Sequence, residues 1–210
     1  MKFLLLGATG TTGLQFIDQA LAAGHEVVAM VRNPEKLQVR RGLHVVVGDV
    51  LNADAQAAAA QGVDAIVSTL GVRNPRSPND FILNATRALI AAAKHAGIRR
   101  VLLMSAFGVG ASYKKASWII RLGYHVAAAM FRDKEVGEEV LMSSDLDWTI
   151  AYPGVLTNGT HSGNFTTTDL NKLKGVPWLP RIARADVADF LLTAASNDTW
   201  NKHIVVIIGK

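Results

Sequence analysis

The sequence predicts an α/β protein built as a doubly wound parallel sheet, on three observations. Short apolar runs alternate with helix-patterned segments from one end of the chain to the other, the arrangement in which helices cross between parallel strands. The runs are nearly continuous and rich in β-branched residues, as strands covered on both faces are. The first run passes straight into a glycine-rich turn and then a helical pattern.

In chain order, strands are expected at residues 2–6, 26–31, 44–47, 65–69, 101–104 and 148–151, each an apolar run bounded by polar or glycine-containing turns. Helices are expected at 13–23, 54–61, 79–96 and 133–142, with Ala, Leu or Ile at helical spacing. Gly24, Gly62 and Gly97 stand where left-handed C-terminal caps are needed. Residues 117–132 also read as helical, and Asp133 and Lys134 then open the next helix. After Pro153 the texture turns to Gly, Asn, Thr and Pro, predicting a loop-rich cap over 154–183 with one short Thr-rich strand near 165–168. A final helix at 184–195, with Asp186 near its start, and a strand at 203–208 close the pattern. So small a cap could hardly support a core of its own, and residues 1–210 are read as one domain.

Composition narrows the function. Half of the 210 residues are hydrophobic and 19% are charged, which excludes a disordered chain. The net charge of +5 is scattered, so it calls for no nucleic-acid partner, and an anionic small ligand accounts for it. Without cysteine there is no disulfide, thiolate nucleophile, iron–sulfur cluster or Cys-ligated zinc. The opening apolar run is too short for a secretory segment. Nor does any run approach the ~20 apolar residues of a membrane span. A cytoplasmic protein without membrane contact is expected.

The chemistry starts at Gly7-Ala8-Thr9-Gly10-Thr11-Thr12-Gly13. A strand that turns through glycines into a helix presents backbone N–H groups and the positive end of the helix dipole to an anion. Gly7 permits the turn, Gly10 removes the side chain that would block a pyrophosphate, and Gly13 lets helix and strand pack closely. The segment Gly7, Thr9, Gly10, Thr11, Thr12, Gly13 is therefore assigned to dinucleotide binding. At the end of the second strand stands Arg32 in place of the carboxylate that selects NAD. Its planar cation suits a 2′-phosphate, with Lys36 as a second cation, so NADPH is the expected cofactor. Asp49 and Val50 follow the third strand; Asp49 either accepts from the adenine amine or caps the next helix. Leu70 and Gly71 end the fourth strand, where backbone can approach the cofactor, and Arg73 lies either over the phosphates or in solvent.

These segments, together with Val31-Arg32-Asn33, Val46–Leu51, Leu70–Asn74 with Ser77-Pro78, Met104-Ser105-Ala106-Phe107 and Tyr152-Pro153-Gly154-Val155, follow the order of the atypical short-chain dehydrogenase/reductases. The chain resembles their NmrA-like NAD(P)H-binding members, closest to the biliverdin-IXβ reductase/flavin reductase type. The resemblance implies a single-domain Rossmann-fold reductase that uses NADPH to reduce flavins and related planar acceptors. It implies an active-site role for Ser105, and Pro153, Gly154 and Val155 as the wall of the nicotinamide pocket. The resembling reductase has a histidine at the position of Gly154, so that contact is missing here.

The Tyr-x-x-x-Lys couple of ordinary short-chain dehydrogenases is absent: Tyr113, Tyr124 and Tyr152 are followed at that spacing by Ser117, Ala128 and Leu156. A flavin needs less assistance, and juxtaposition of donor and acceptor would carry most of the catalysis. Arg121, His125 and Arg132 share a helical face that either receives an acceptor's phosphate or is simply solvated. His161 and His203 look solitary, and no metal site is expected. The expected function is hydride transfer to a flavin, quinone or tetrapyrrole-like acceptor, with FMN or FAD as substrate and not prosthetic group, by a monomer or homodimer. The alternative is an NmrA-like NADP(H)-binding redox sensor without catalysis, with Trp178 and Leu179 as the suggestive partner surface. An NAD-dependent sugar-nucleotide epimerase fits least, lacking the couple and a substrate domain.

Overall fold

A computed structural model describes residues 1–72 and 80–210, with backbone alone at 123–126. Its strands are β1 (Lys2–Leu6), β2 (Glu26–Val31), β3 (Leu43–Val47), β4 (Ala65–Ser68), β5 (Arg100–Met104), β6 (Asp147–Pro153), β7 (Val155–Thr157), β8 (Phe165–Asp169), β9 (Arg181–Ala183) and β10 (His203–Gly209). The helices are α1 (Thr11–Ala22), α2 (Ala53–Ala59), α3 (Phe81–Ala96), α4 (Trp118–Val126), α5 (Ala128–Met142) and α6 (Arg184–Ala195). Eight strands form one sheet in the order β3-β2-β1-β4-β5-β6-β10-β8, while β7 and β9 pair separately. All pairings of the main sheet are parallel except β8 against β10. This is the predicted doubly wound α/β fold.

Strand alternation divides the core into two layers. Phe3, Leu5, Val27 and Ala29 pack under α1 and α6, while Leu4, Leu6, Val28 and Ile66 pack under α2, α3 and α5. Each fully buried Leu of β1 contributes roughly 1.5–3 kcal/mol. That double burial is why the strands read as continuous apolar runs. Arg100 is a buried cation within this frame: its guanidinium donates to the Asp147 carbonyl (2.7 Å), Thr149 Oγ1 (2.8 Å) and the Ala194 carbonyl (2.7 Å), tying β5 to β6 and to the end of α6. Burial lowers its pKa to about 10.

Two expectations change. Residues 117–132 are not one helix, because Ala127 (φ −120°, ψ 28°) breaks the chain between α4 and α5. Asp133 and Lys134 therefore lie in the second turn of α5, buried, and not at a helix start. The Thr-rich strand exists as β8, but it extends the main sheet instead of belonging to a separate cap. Three positive-φ glycines, Gly24, Gly62 and Gly97, do follow helix ends as expected.

The chain runs β1, β2, β3 toward one edge, and α2 then carries it back across to β4 on the other side of β1. The strand order reverses at the carboxyl ends of β1 and β4, which leaves a crevice there.

Candidate cofactor and active site

At the end of β1 the backbone is held in a shape that only glycine fits. Gly7 has φ +88°, and a Cβ there would stand 2.8 Å from Thr69 Oγ1 and 2.9 Å from the Thr69 carbonyl carbon. Thr69 Oγ1 instead donates to the Leu6 and Gly7 carbonyls at 3.2 and 3.3 Å, locking β4 to the turn. A Cβ on Gly13 would fall 2.4 Å from the Gly7 oxygen, so α1 approaches β1 closely only because position 13 is bare. Gly10 caps α1 without a side-chain hydrogen bond, and its first turn carries no acid. Thr9, Gly10 and Thr11 are exposed while Thr12 and Gly13 are buried, and Gly10 N–H closes the turn on the Gly7 carbonyl at 2.9 Å.

Those of the remaining predicted cofactor residues that are described follow the carboxyl ends of the strands. Arg32 and Lys36 are exposed beyond β2, and neither forms an ion pair among the described residues. Asp49 is exposed and accepts from Leu51 N–H at 3.0 Å in a local turn. It is not the helix cap: Asn52 caps α2 through Ala55 N–H at 3.0 Å, because it is the residue immediately before that helix. Val50 is buried beneath the loop, Leu70 is half-buried and Gly71 is exposed. Arg73 lies outside the described residues, as do Asn74, Ser77 and Pro78. A bare glycine turn, an uncapped helix start and unspent cations suit a dinucleotide phosphate group.

The far side of the crevice is assembled from β5, β6 and α5. Ser105 N–H donates to the Ala151 carbonyl (2.9 Å) and Phe107 N–H to the Pro153 carbonyl (3.0 Å), fastening the turn after β5 to the end of β6. Gly154 passes so near Pro180 that a Cβ would lie 2.6 Å from its oxygen, so no side chain fits at that position. Beside this turn opens a cavity of about 410 Å³, lined by Phe107, Ile119, Phe131, Pro153, Leu179 and Arg184 among others. Its walls are apolar except for the Arg184 cation, which also donates to Asn158 Oδ1 at 2.6 Å. Leu179 thus faces this cavity, while Trp178 is exposed, as are Trp118 and Leu122 of α4.

A buried polar cluster lies behind Ser105 that the sequence does not disclose. Tyr152 O–H donates to Glu138 Oε2 at 2.5 Å, and Ser105, Lys134 and Glu138 are all buried. Ser105 Oγ and Glu138 Oε1 both lack a partner in hydrogen-bonding geometry. Burial pushes Glu138 up to about 7, opposed by the Ser105 and Tyr152 hydroxyls and by Lys134. Burial likewise pushes Lys134 down and Tyr152 up, with Glu138 adding to the latter. The one signal in the sequence is the i, i+4 pair Lys134 and Glu138, which share a helix face with Leu141.

Asp133 serves the fold instead. Its carboxylate accepts from Ile82 N–H (2.9 Å) and Leu83 N–H (3.0 Å), capping α3 from α5. Arg121 is spent on the Ala116 and Lys114 carbonyls (3.1 and 2.7 Å) and stacks over Tyr113, so it is not free to take an acceptor's phosphate. Arg132 is exposed, and the side chain of His125 lies outside the described residues. The histidines are not solitary, because the fold brings distant acids to them. His161 Nε2 meets Asp189 at 3.1 Å, and His203 contacts Asp169.

Comparison with known proteins identifies the family and the fold. The profile of a family described as NAD(P)H-binding matches residues 7–198. The photosystem II assembly factor Ycf39 of Cyanophora paradoxa is 30% identical over 154 residues, which cover 71% of this chain and 44% of that protein. The chain thus spans less than half the length of that relative. Among solved structures, ChuY, an anaerobillin reductase from Escherichia coli O157:H7, superposes with a TM-score of 0.83 at 28% identity, covering all of this chain and 97% of that one. The oxidoreductase ylbE from Lactococcus lactis, with a TM-score of 0.86 at 22% identity over all of this chain and 91% of its own, shares the fold.

Proposed function

The chain belongs to the NAD(P)H-binding family, and from that premise we propose that it is an NADPH-dependent reductase of planar acceptors. NADPH bound along the crevice supplies a hydride; the protein supplies position. The Gly7–Gly13 turn and the amides that open α1 hold the pyrophosphate, Arg32 and Lys36 take the 2′-phosphate, and Asp49 and Val50 border the adenine. Leu70, Gly71 and Pro153–Val155 enclose the nicotinamide beside Ser105. One observation carries the acceptor side: the apolar cavity of about 410 Å³ opens at the Pro153–Val155 turn, on the edge that holds the glycine cradle. A cavity of that lining suits a flat, largely apolar ring system, with Arg184 for an anionic substituent. Flavins, quinones and tetrapyrroles all meet the description, and FMN or FAD enters as substrate. ChuY's activity on an anaerobillin supports the tetrapyrrole member of this class.

The chain acts as a single domain, as monomer or homodimer, in the cytoplasm; among the described residues no helix is long and apolar enough to cross a membrane. The second reading, a redox sensor without chemistry, rests on the exposed Trp118, Leu122 and Trp178 beside the cavity. Anaerobic NADPH oxidation against FMN, FAD, riboflavin, quinones and biliverdin separates the two. Turnover with at least one acceptor supports the reductase, whereas tight NADPH binding without any turnover supports the sensor.

A further inference from the structure

Hydride transfer leaves the reduced acceptor one proton short, and the hydroxyl placed nearest the cavity wall along the chain is that of Ser105, which directly precedes the lining residues Ala106 and Phe107. A serine hydroxyl cannot give up its proton alone, since the alkoxide it would leave is far too basic. It needs an acid behind it.

We propose that Glu138 is that acid: held by Tyr152 and placed behind Ser105, it delivers a proton through the serine hydroxyl to the acceptor. The proposal rests on the reductase reading. Three elements converge on the cluster, with Ser105 following β5, Glu138 on α5 and Tyr152 on β6. Glu138 is 2% exposed and Ser105 4%. Tyr152 O–H occupies Glu138 Oε2, which leaves Oε1 as the oxygen able to carry a proton, and Oε1 is an orphan. The Ser105 hydroxyl acts on the same carboxyl and is the second orphan. Leaving two buried oxygens unsatisfied is unfavourable, but a hydroxyl rotates freely. A proton on Oε1 donated to Ser105 Oγ satisfies both. The Ser105 O–H is then free to turn from its buried position toward the cavity wall that Ala106 and Phe107 form beside it.

In the step, the acceptor gains the two electrons and hydrogen of the nicotinamide hydride. The Ser105 O–H bond breaks toward the acceptor as the Glu138 proton forms a new O–H bond on Oγ. Glu138 is left as carboxylate, and solvent restores its proton between turnovers. Among the described residues, the other ionisable groups that act on this site lie on α5: Lys134 steadies the anion, Glu135 opposes it, and Asp133 acts on Lys134. Burial sets the carboxyl at about 7, so it is part protonated near neutrality. Ser105 is the catalytic group; Glu138 acts through it.

The test combines pH profiles with a readout that needs no turnover. In wild type, kcat for NADPH-dependent reduction should fall as pH rises through about 7, where the Glu138 carboxyl ionises. Glu138→Gln should lower the acid-side kcat by about 10²-fold, remove that pH dependence and leave NADPH affinity unchanged. Tyr152→Phe removes a donor to the carboxylate and should move the midpoint upward. Infrared difference spectra of the protein without acceptor should show a protonated carboxyl band that titrates near neutrality and disappears in Glu138→Gln. A Glu138→Gln variant with the wild-type pH profile, or a Glu138 carboxyl already ionised at pH 5, overturns the proposal. Wild-type protein that reduces no acceptor overturns the reductase reading and this proposal with it. Turnover with an unchanged profile overturns this proposal alone.

Discussion

On the β1–β4 side of the crevice the surface offered to a ligand is mostly backbone: the Gly7–Gly13 turn, the amides that open α1 and the Leu70–Gly71 end of β4. On the β5–β6 side the polar groups are side chains held below the surface: Ser105, Lys134, Glu138 and Tyr152, drawn from two strand ends and a helix. The first half binds through a local shape that seven successive residues specify. The second is set by packing between elements far apart in sequence, and it holds its ionisable groups in low-dielectric surroundings where their proton affinities shift. A backbone cradle recognises a phosphate at any ordinary pH, whereas a buried acid and hydroxyl respond to pH. On the proposed reading, the difference divides the labour between binding and chemistry.

The sharpest way to break this division is on the backbone side. Gly13→Ala places a methyl 2.4 Å from the Gly7 oxygen and 3.0 Å from Ala8 Cα, atoms that cannot move independently of β1. A loss of about 3 kcal/mol in unfolding free energy and a fall of at least ~100-fold in NADPH affinity are expected, read by denaturant titration and fluorescence binding.

On the side-chain side the signature is pH. The folded-state pKa of Glu138 lies above its unfolded value of 4.5, at about 7. The native state therefore binds the proton more tightly, and stability is lost as pH rises between those two values. Glu138→Gln removes that penalty, so its stability relative to wild type should rise by about 2 kcal/mol from pH 5 to pH 8. Equal differences at both pH values in urea unfolding would show that Glu138 is not held protonated.

Asp133 sharpens the comparison, because it is a buried acid of α5 without a place in the chemistry. Asp133→Asn weakens the cap on Ile82 and Leu83 N–H and should cost about 1–2 kcal/mol, with the pH profile of turnover unchanged. The smallest effect belongs to the exposed Arg32. Arg32→Glu should weaken NADPH binding by about 10-fold, or ~1.4 kcal/mol, while NADH binding changes little. Equal losses for both nucleotides would remove Arg32 from the 2′-phosphate.

The two sides also differ in how far the sequence discloses them. β1 and β2 appear at their expected bounds because strands buried on both faces leave uninterrupted apolar runs. The glycine turn is legible because its requirements fall on consecutive residues. The break at Ala127 is not, since no Gly or Pro marks it and the apolar pattern continues through. Glu138 could not be read as an active-site group either. A glutamate on a helix is ordinarily a solvated residue, and what buries this one is Tyr152, fourteen residues away on β6. The capping role of Asp133 likewise depends on the approach of α3 to α5, which no local spacing encodes.

The most direct test measures NADPH affinity and acceptor turnover side by side in wild type, Gly13→Ala and Glu138→Gln. The division of labour predicts that wild type binds and turns over, Gly13→Ala loses binding, and Glu138→Gln binds like wild type while its turnover falls and loses its pH dependence. Parallel losses of binding and turnover in both variants, or turnover in Glu138→Gln at the wild-type rate, would contradict it.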